Sequence, residues 1–323
     1  MQIFSKDKIY DFMGKSKAFI SVSIILILAS YFFLFTKGLN YGIDFSGGTI
    51  VQVKYDTKAP IKKIRQSISK DKMFANASIT EFGSPNEVII RFATSSDHVS
   101  TDAGDKMKNL LEGTGNFKIR RVDIVGPKVG SELRKKGIMA MVMSILTILI
   151  YVAFRFEWRF AVASVLALVH DVSIAIGAIA LFQIDVNLDV LAALLTLLGY
   201  SLNDTIIVFD RIREGISETR DLNLFNVIND SISKTLSRTL LTSLTTFFVV
   251  LTLFALGGEI IHSFSFTLLV GIIVGTYSSV FVASPMLKWL GFDLKDYKAK
   301  QVAKEKRKIE KDKARSMYEK GMM

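Results

Sequence analysis

The residues in this sequence with the greatest capacity for chemistry are ionisable side chains that interrupt long apolar stretches. Asp204 is the clearest case, because it lies within LLGYSLNDTIIVFDRIRE at 197–214 and only Thr205 separates it from a run of apolar side chains. A charge at the centre of a membrane helix costs about 2.5–3.5 kcal/mol on insertion scales, so it is expected to face a bundle interior or a water-filled cavity. The position therefore predicts a functional carboxylate.

Arg238, near the start of a later apolar stretch, is the expected ionic partner of Asp204. On helical spacing it shares a side with Thr242, and the two charged residues are expected at similar depth. Two interpretations stay open: a neutralising ion pair that only joins two helices, or a carboxylate that exchanges a proton as a cavity opens and closes. One charge moving through 100 mV is worth about 2.3 kcal/mol, which is enough to bias a conformational equilibrium.

His170 and Asp171 form a second ionisable site, near the middle of another apolar stretch. Adjacent helical residues point roughly 100° apart, so the two need not line one path. Two interpretations stay open for this pair: a hydrogen bond that joins neighbouring helices, or a second proton relay. Along the helix of Asp204 we expect a polar face with Tyr200, Ser201, Asn203 and Thr205, of which Asn203 and Thr205 are secondary relay candidates, and a lipid-facing side with Leu194, Leu195, Leu198 and Leu202.

The composition excludes thiol chemistry and argues against a hydrolytic enzyme. Half of the 323 residues are hydrophobic and none is cysteine, which excludes disulfides and thiolate chemistry. The three histidines are scattered without metal-ligand spacing, and no Ser/His/Asp or paired-carboxylate constellation occurs outside the apolar stretches, so we expect no metal, no cofactor and no hydrolytic activity. The net charge of +11 sits beside apolar stretches and in the C-terminal tail, which favours a membrane surface over nucleic acid.

Six stretches are apolar and long enough to cross a bilayer. Lysine and arginine in the short connections, counted by the positive-inside rule, predict that both termini are cytoplasmic. The basic connections hold Lys6, Lys8, Lys15, Lys17, Arg155, Arg159, Arg211, Arg213, Arg220 and Lys234. The predicted spans lie near 18–36, 138–154, 160–182, 188–210, 236–257 and 263–287, which divides the chain into a cytoplasmic N-terminus (1–17), span 1 (18–36), an outer domain (37–136), spans 2–6 (137–287) and a basic cytoplasmic tail (288–323).

The outer segment has the pattern of a small mixed domain. Strands are predicted at TIVQVKY (49–55), at ASITEF and NEVIIRFAT around the turn GSPN, and at NFKIRRVDIV; helices are predicted at 59–73 and 97–112. The order βαββαβ is that of the split ferredoxin-like arrangement. The predicted fold class is therefore a membrane α-helical bundle of six transmembrane helices with an α+β ferredoxin-like extracytoplasmic domain.

Two further features of the sequence are its glycine motifs and its lysine-rich C-terminal tail. Gly42, Gly47 and Gly48 in GIDFSGG allow a sharp turn off the first span, either as a hinge or as a static turn. GIIVG (271–275) predicts close helix packing. The lysine-rich tail is typical of a solvated helix or a disordered segment near anionic headgroups, with a ribosome or other acidic partner as the alternative.

Several motifs together resemble those of the SecD/SecF family of the RND superfamily. They are LNYGIDFSGGT (39–49), VDIVGPKVGSEL (122–133), VHDVSIAIG (169–177), LLGYSLNDTIIVFDRIRE, SRTLLTSLTT (237–246) and GTYSSVFVASP (275–285). By this resemblance, the family's proton-coupling aspartate falls on Asp204 and its helix-5 arginine on Arg238.

The resemblance implies late-stage protein export driven by the proton motive force in the bacterial inner membrane. It implies a SecD partner, the SecYEG channel, YajC, translocating polypeptide and membrane lipid as contacts. An RND-type exporter of lipids or small amphiphiles and an uncoupled membrane scaffold remain the alternatives.

Overall fold

The computed structural model describes residues 8–71, 74, 77–92, 102–219, 221 and 223–319. Lys6, Arg220, residues 97–101 of one predicted helix and residues 72–73 of another lie outside that range. In chain order the elements are α1 (Ser16–Lys37), α2 (Ile43–Ser46), β1 (Gly48–Tyr55), α3 (Ile61–Ile68), β2 (Ser78–Phe82), β3 (Ser84–Phe92), α4 (Asp102–Leu111), β4 (Phe117–Val125), α5 (Pro127–Arg155), α6 (Trp158–Phe182), α7 (Leu188–Glu218), α8 (Leu224–Leu256), α9 (Glu259–Ser278), a π-helical turn (Ser279–Ala283), α10 (Ser284–Trp289) and α11 (Leu294–Glu319).

Six helices in the described residues are long and apolar enough to cross a membrane, which confirms the predicted number of spans. The sixth is continuous through the π-helical turn, over Ile260–Trp289. Because successive spans alternate in direction, the sheet domain between α1 and α5 lies at one end of the bundle. The segment before α1, from residue 8, and the start of α11 lie at the other end.

α7 and α8 are longer than predicted, so Arg211, Arg213 and Lys234 lie on helices and the connection covers only 219–223. The reason is a second apolar core at the end of the bundle that carries the termini. Ile212 and Ile228 are fully buried there, in a cluster that also holds residues of the N-terminal segment and of α10. Because the apolar residues keep helical spacing in this core, α7 continues past the predicted end at 210 and α8 begins before the predicted start at 236.

α7 and α9 pack closely through glycine, which confirms the prediction for GIIVG. A Cβ at Gly271 would lie 2.6 Å from Leu197 Cδ1, and a Cβ at Gly275 would lie 3.1 Å from Ser201 Cβ. A methyl group at Gly271 would require the Leu197 side chain to shift, and one at Gly275 would require Ser201 to give by a few tenths of an ångström. Small residues therefore set the separation of these two helices.

The sheet domain contains a four-stranded antiparallel sheet with the order β2-β3-β1-β4. Its core includes Val51, Ile64 and Val88, and α4 contributes Met107 and Leu111 despite its short apolar face. The hairpin between β2 and β3 is tighter than predicted. β3 begins at Ser84, because Gly83, with φ at 66°, completes the reversal alone.

The sheet domain is attached directly to the connection between α6 and α7. Gly42 N donates to Val186 O at 2.9 Å, and Val186 N donates to Asn40 O at 2.7 Å. Arg91 of β3 forms an ion pair with Asp185 of the same connection. This connection is therefore bonded both to the segment that leaves α1 and to the sheet.

Gly47 and Gly48 adopt backbone conformations that other residues resist, with φ at 77° and 147°. They are also tightly packed: a Cβ would lie 2.7 Å from Pro127 Cα at Gly47 and 2.7 Å from Phe92 O at Gly48. Gly42 has φ at −65°, so only proximity to the α6–α7 connection restricts it. These contacts account for the glycines without a hinge, and the hinge stays a prediction.

We expect Gly47→Ala to destabilise the protein by roughly 2–4 kcal/mol, because the new methyl group combines an unfavourable φ with a backbone clash. Gly38→Ala is the matched control: Gly38 has φ at 70° but no atom within 4 Å of its Cβ position. The control should cost about 1 kcal/mol. Denaturant unfolding of the full chain in detergent measures both, and equal losses would show that the contact with Pro127 contributes nothing.

Candidate functional site

Asp204 is buried where three helices meet. It lies on α7 with 1% of its surface exposed. Its Oδ2 accepts hydrogen bonds from Ser243 Oγ of α8 at 3.0 Å and from Thr276 Oγ1 of α9 at 3.4 Å. Its Oδ1 is buried without a hydrogen-bond partner among the described residues. The carboxylate is thus held by hydroxyl groups alone, with one oxygen unsatisfied.

The structure contradicts the predicted ion pair between Asp204 and Arg238. Arg238 is exposed, and in the described part of the chain no salt bridge joins the two residues. The reason is helical geometry. Ser243, which contacts Asp204, follows Arg238 by five residues, so the two point roughly 140° apart on α8. Arg238 does share its side with Thr242, as predicted, but that side faces out of the bundle.

Asp171 on α6 forms a second buried carboxylate site. His170 Nδ1 lies 2.8 Å from Asp171 Oδ1, so the two side chains turn towards each other although their Cα–Cβ directions differ. Asp171 Oδ2 accepts from Ser201 Oγ of α7 at 2.5 Å and from Ser278 Oγ of α9 at 2.8 Å. His170 Nε2 is buried with no partner in the described ranges. The site links three helices.

The two carboxylate sites belong to one polar layer, because they share α7 and α9. Ser201 and Asp204 are three residues apart, which places them on neighbouring turns of the same face. On α9, Thr276 donates to Asp204 and Ser278 donates to Asp171. The π-helical turn starts directly after Ser278. Such turns are rare and occur frequently at functional sites.

Of the remaining predictions for α7, some are confirmed and others are wrong. Thr205 is buried, as expected of the polar face, whereas Asn203 is exposed and lies outside the polar layer. The prediction that Leu194 and Leu198 face lipid is wrong, since both are buried. The reason is that α6, α8 and α9 surround α7, so its leucine side is covered by protein as well.

Ser243, Thr276 and Ser278 contact the buried carboxylates and were missed by the sequence analysis. Serine and threonine in helices usually bond to their own backbone, as Thr276 also does to Ile272 O at 2.8 Å. Their residue type alone therefore carries little signal. Only the packing of α8 and α9 against α7 shows which hydroxyls reach a carboxylate.

The described residues contain no group of three or more His, Asp or Glu side chains that could hold a metal ion. What the polar layer can do chemically is exchange protons. An ionised carboxylate only accepts hydrogen bonds, whereas a protonated one also donates. Protonation at the unpartnered Oδ1 of Asp204 would leave both hydroxyl bonds to Oδ2 in place and add a donor on the buried side of the carboxyl group.

Comparison with known proteins identifies close relatives. The family described as "Protein export membrane protein SecD/SecF, C-terminal" matches residues 106–293, and the "SecD/SecF GG Motif" matches residues 32–59. The protein translocase subunit SecF of Helicobacter pylori is 47% identical over 323 residues, which cover all of both chains. The subunit of the same name from Vibrio alginolyticus is 45% identical over 306 residues, 94% of this chain and 97% of that protein.

Among solved structures, the crystal structure of SecDF from Thermus thermophilus, a translocon-associated membrane protein, superposes with a TM-score of 0.78 at 36% identity. The match covers 88% of this chain and 39% of that one. A SecDF structure in a super-membrane-facing form matches with a TM-score of 0.66 at 35% identity. The chain thus matches the Helicobacter pylori SecF subunit over its whole length, but it covers only about two fifths of SecDF.

Ser243→Ala should destabilise the protein by about 1–3 kcal/mol, because it leaves the buried carboxylate of Asp204 without its closer donor. Ser173→Ala is the matched control, since Ser173 is only partly buried and its hydroxyl bonds to Val169 O of its own helix. It should change stability by less than about 0.5 kcal/mol. If the loss comes from Asp204, it shrinks when Ser243→Ala is introduced into Asp204→Asn, and additive losses in denaturant unfolding would contradict the assignment.

Proposed function

This chain belongs to the SecD/SecF family of protein-export membrane proteins, and we propose that it is a subunit of the Sec export machinery. With a SecD partner, it would use the proton motive force to promote late-stage movement of polypeptide across the bacterial inner membrane. It acts as a transport component and not as an enzyme. The observation that carries the energetic part of the proposal is the geometry of Asp204.

Asp204 has the features required of a proton-coupling carboxylate. Its partners are two hydroxyls on two different helices, and among the described residues no cation neutralises it. A permanent ion pair would lock the charge, whereas hydroxyl partners serve both the ionised and the protonated form. Each charge that crosses 100 mV supplies about 2.3 kcal/mol, which can favour one packing of α7, α8 and α9 over another. We propose H⁺ as the coupling ion.

The outer domain is connected to the same helix that carries Asp204. Leu188 N, at the start of α7, donates to Asp44 Oδ2 at 3.0 Å, and the preceding connection holds the sheet through Asp185 and Arg91. A shift of α7 would therefore reach the outer domain through direct contacts. We propose that these shifts move the outer domain between conformations that hold emerging polypeptide and hinder its return.

A cavity of about 590 Å³ lies between the sheet and the bundle, and the proposed movement of the outer domain would open or close it. It is lined by residues of the sheet, including Ile50, Gln52 and Thr80, and by residues of the bundle connections, including Asp189 and His262. For the domain itself we propose the ferredoxin-like arrangement. Its element order and the sheet order β2-β3-β1-β4 support this proposal.

The exposed position of Arg238 supports the SecD partner. A guanidinium on the outer side of a membrane helix is costly unless another group pairs with it. Thr242 and Thr245 are exposed on the same side of α8. We propose that SecD covers this side and supplies a carboxylate. We propose SecYEG, YajC and translocating polypeptide as further contacts. We also propose that both termini are cytoplasmic, which the charge bias of the connections supports.

The proposal predicts that Asp204→Asn abolishes the part of export that depends on the proton gradient. The assay uses inverted membrane vesicles that contain the SecD partner and follows translocation of a preprotein with and without an imposed gradient. Asp210→Asn is the matched control, because Asp210 is an exposed carboxylate on the same helix. It should keep the gradient-dependent part.

An uncoupled scaffold predicts the opposite outcome. Asn keeps the shape of the side chain and its hydrogen bonding to Ser243, so a scaffold would tolerate Asp204→Asn with full export. That result, at normal protein levels, would refute proton coupling through this residue.

A further inference from the structure

A large basic cavity lies at the end of the bundle that carries α11, away from the polar layer. Its volume is about 1160 Å³. The walls come from the end of α5, the α5–α6 connection, the end of α7 and the tail helix α11. Six cationic side chains line it: Arg155, Arg213, Lys300, Arg307, Lys308 and Lys311.

The positive charge of this cavity is largely uncompensated. Among the lining residues that the structure describes, Glu157 is the one carboxylate, and it is paired with Arg159 at 3.0 Å. Arg155 lies 3.6 Å from Asp210. For the four cations of α11, no salt bridge occurs within the described part of the chain. So many like charges around one space repel each other unless an anion occupies it.

The cavity is partly built from fixed groups and is not only a solvated helix surface. Arg213 Nη1 donates to Arg155 O at 3.3 Å, and the guanidinium of Arg213 lies 5.5 Å from the ring centre of Phe156. Lys298 Nζ donates to Thr219 O at 2.5 Å and so fastens α11 to the end of α7. These contacts hold the tail helix over the bundle and keep its cations directed at the same space.

The apolar surface beside the cavity indicates which kind of anion fits. Phe154, at the end of α5, lines the cavity and is 88% exposed, and Ile150 and Tyr151 on the preceding turn are more than half exposed. Trp158, at the start of α6, is exposed beside them. Exposed aromatic residues at the end of a spanning helix are typical of the membrane–water interface. An acyl chain can lie along α5 while its headgroup enters the cavity.

We propose that this cavity binds the headgroup of an anionic phospholipid, with its acyl chains against α5. Basic pockets between membrane helices recognise lipid phosphates in this way. Six cations exceed the charge of one phosphodiester, so a lipid with two phosphates fits the cavity best. A free anion or a nucleic acid would gain nothing from the apolar surface of α5, which is why the lipid is favoured.

The test measures binding of labelled cardiolipin to the full chain in detergent by equilibrium titration. Cardiolipin should bind more tightly than phosphatidylcholine. The double variant Lys300→Gln/Lys308→Gln should weaken cardiolipin binding on the order of tenfold, since each cation near a lipid phosphate contributes measurably. The control Lys295→Gln/Lys306→Gln removes the same charge from the same helix outside the cavity, and should weaken binding less than about threefold because exposed charges are screened.

Competition experiments distinguish a lipid headgroup from a free phosphate or a nucleic acid as the bound anion. Inorganic phosphate and a short RNA duplex are titrated as competitors. Equal weakening by both double variants would overturn the site, because attraction would then be spread over the whole helix. Displacement of cardiolipin by phosphate at equal concentration, or tighter cavity-dependent binding of the RNA, would overturn the lipid as the ligand. Cardiolipin selectivity that is lost only in the cavity variant supports it.

Discussion

The structure depends on how an apolar bundle accommodates two carboxylates. Asp204 and Asp171 are each almost fully buried, and hydroxyls from the neighbouring helices supply their interhelical hydrogen bonds. Desolvating a carboxylate costs several kcal/mol, so these hydroxyls must be held in place by the packing. Gly271 and Gly275 provide that packing, because they bring α9 close enough to α7 for its hydroxyls to reach both sites. A larger residue at Gly275 would press directly on Ser201, which donates to Asp171.

This arrangement also explains why the outer domain contacts the bundle where it does. The segment after α1 and strand β3 both bond to the short connection that leads into α7. The same helix then continues through the polar layer to the apolar core at the far end, where Ile212 and Ile216 are buried. One rigid helix therefore contacts the outer domain, the buried carboxylates and the basic end of the molecule. In the proposed function, a shift of α7 would therefore reach all three levels directly.

The sequence was sufficient for those parts of the structure that periodicity and charge determine. The six spans, the position of Asp204 in the bundle interior and the close packing at GIIVG follow from apolar runs, the cost of a buried charge and small-residue spacing. The direction of Arg238 did not follow, because the charge pattern alone does not say which side of α8 meets α7. The error at Leu194 and Leu198 has a related cause: an apolar residue fits lipid and protein equally well, so hydrophobicity cannot assign its side. The hydroxyl partners of the two carboxylates needed the packed helices themselves.

The most direct measurement follows the protonation of Asp204 itself. Infrared difference spectroscopy on the full chain with isotope-labelled aspartate can identify its carboxyl band by comparison with Asp204→Asn. We expect a protonated carboxyl band that gains intensity as the pH is lowered and loses it reversibly as the pH is raised, within the range in which the protein stays folded. A band of constant intensity throughout that range would mean that Asp204 holds one charge state, and proton coupling through this carboxylate would be contradicted.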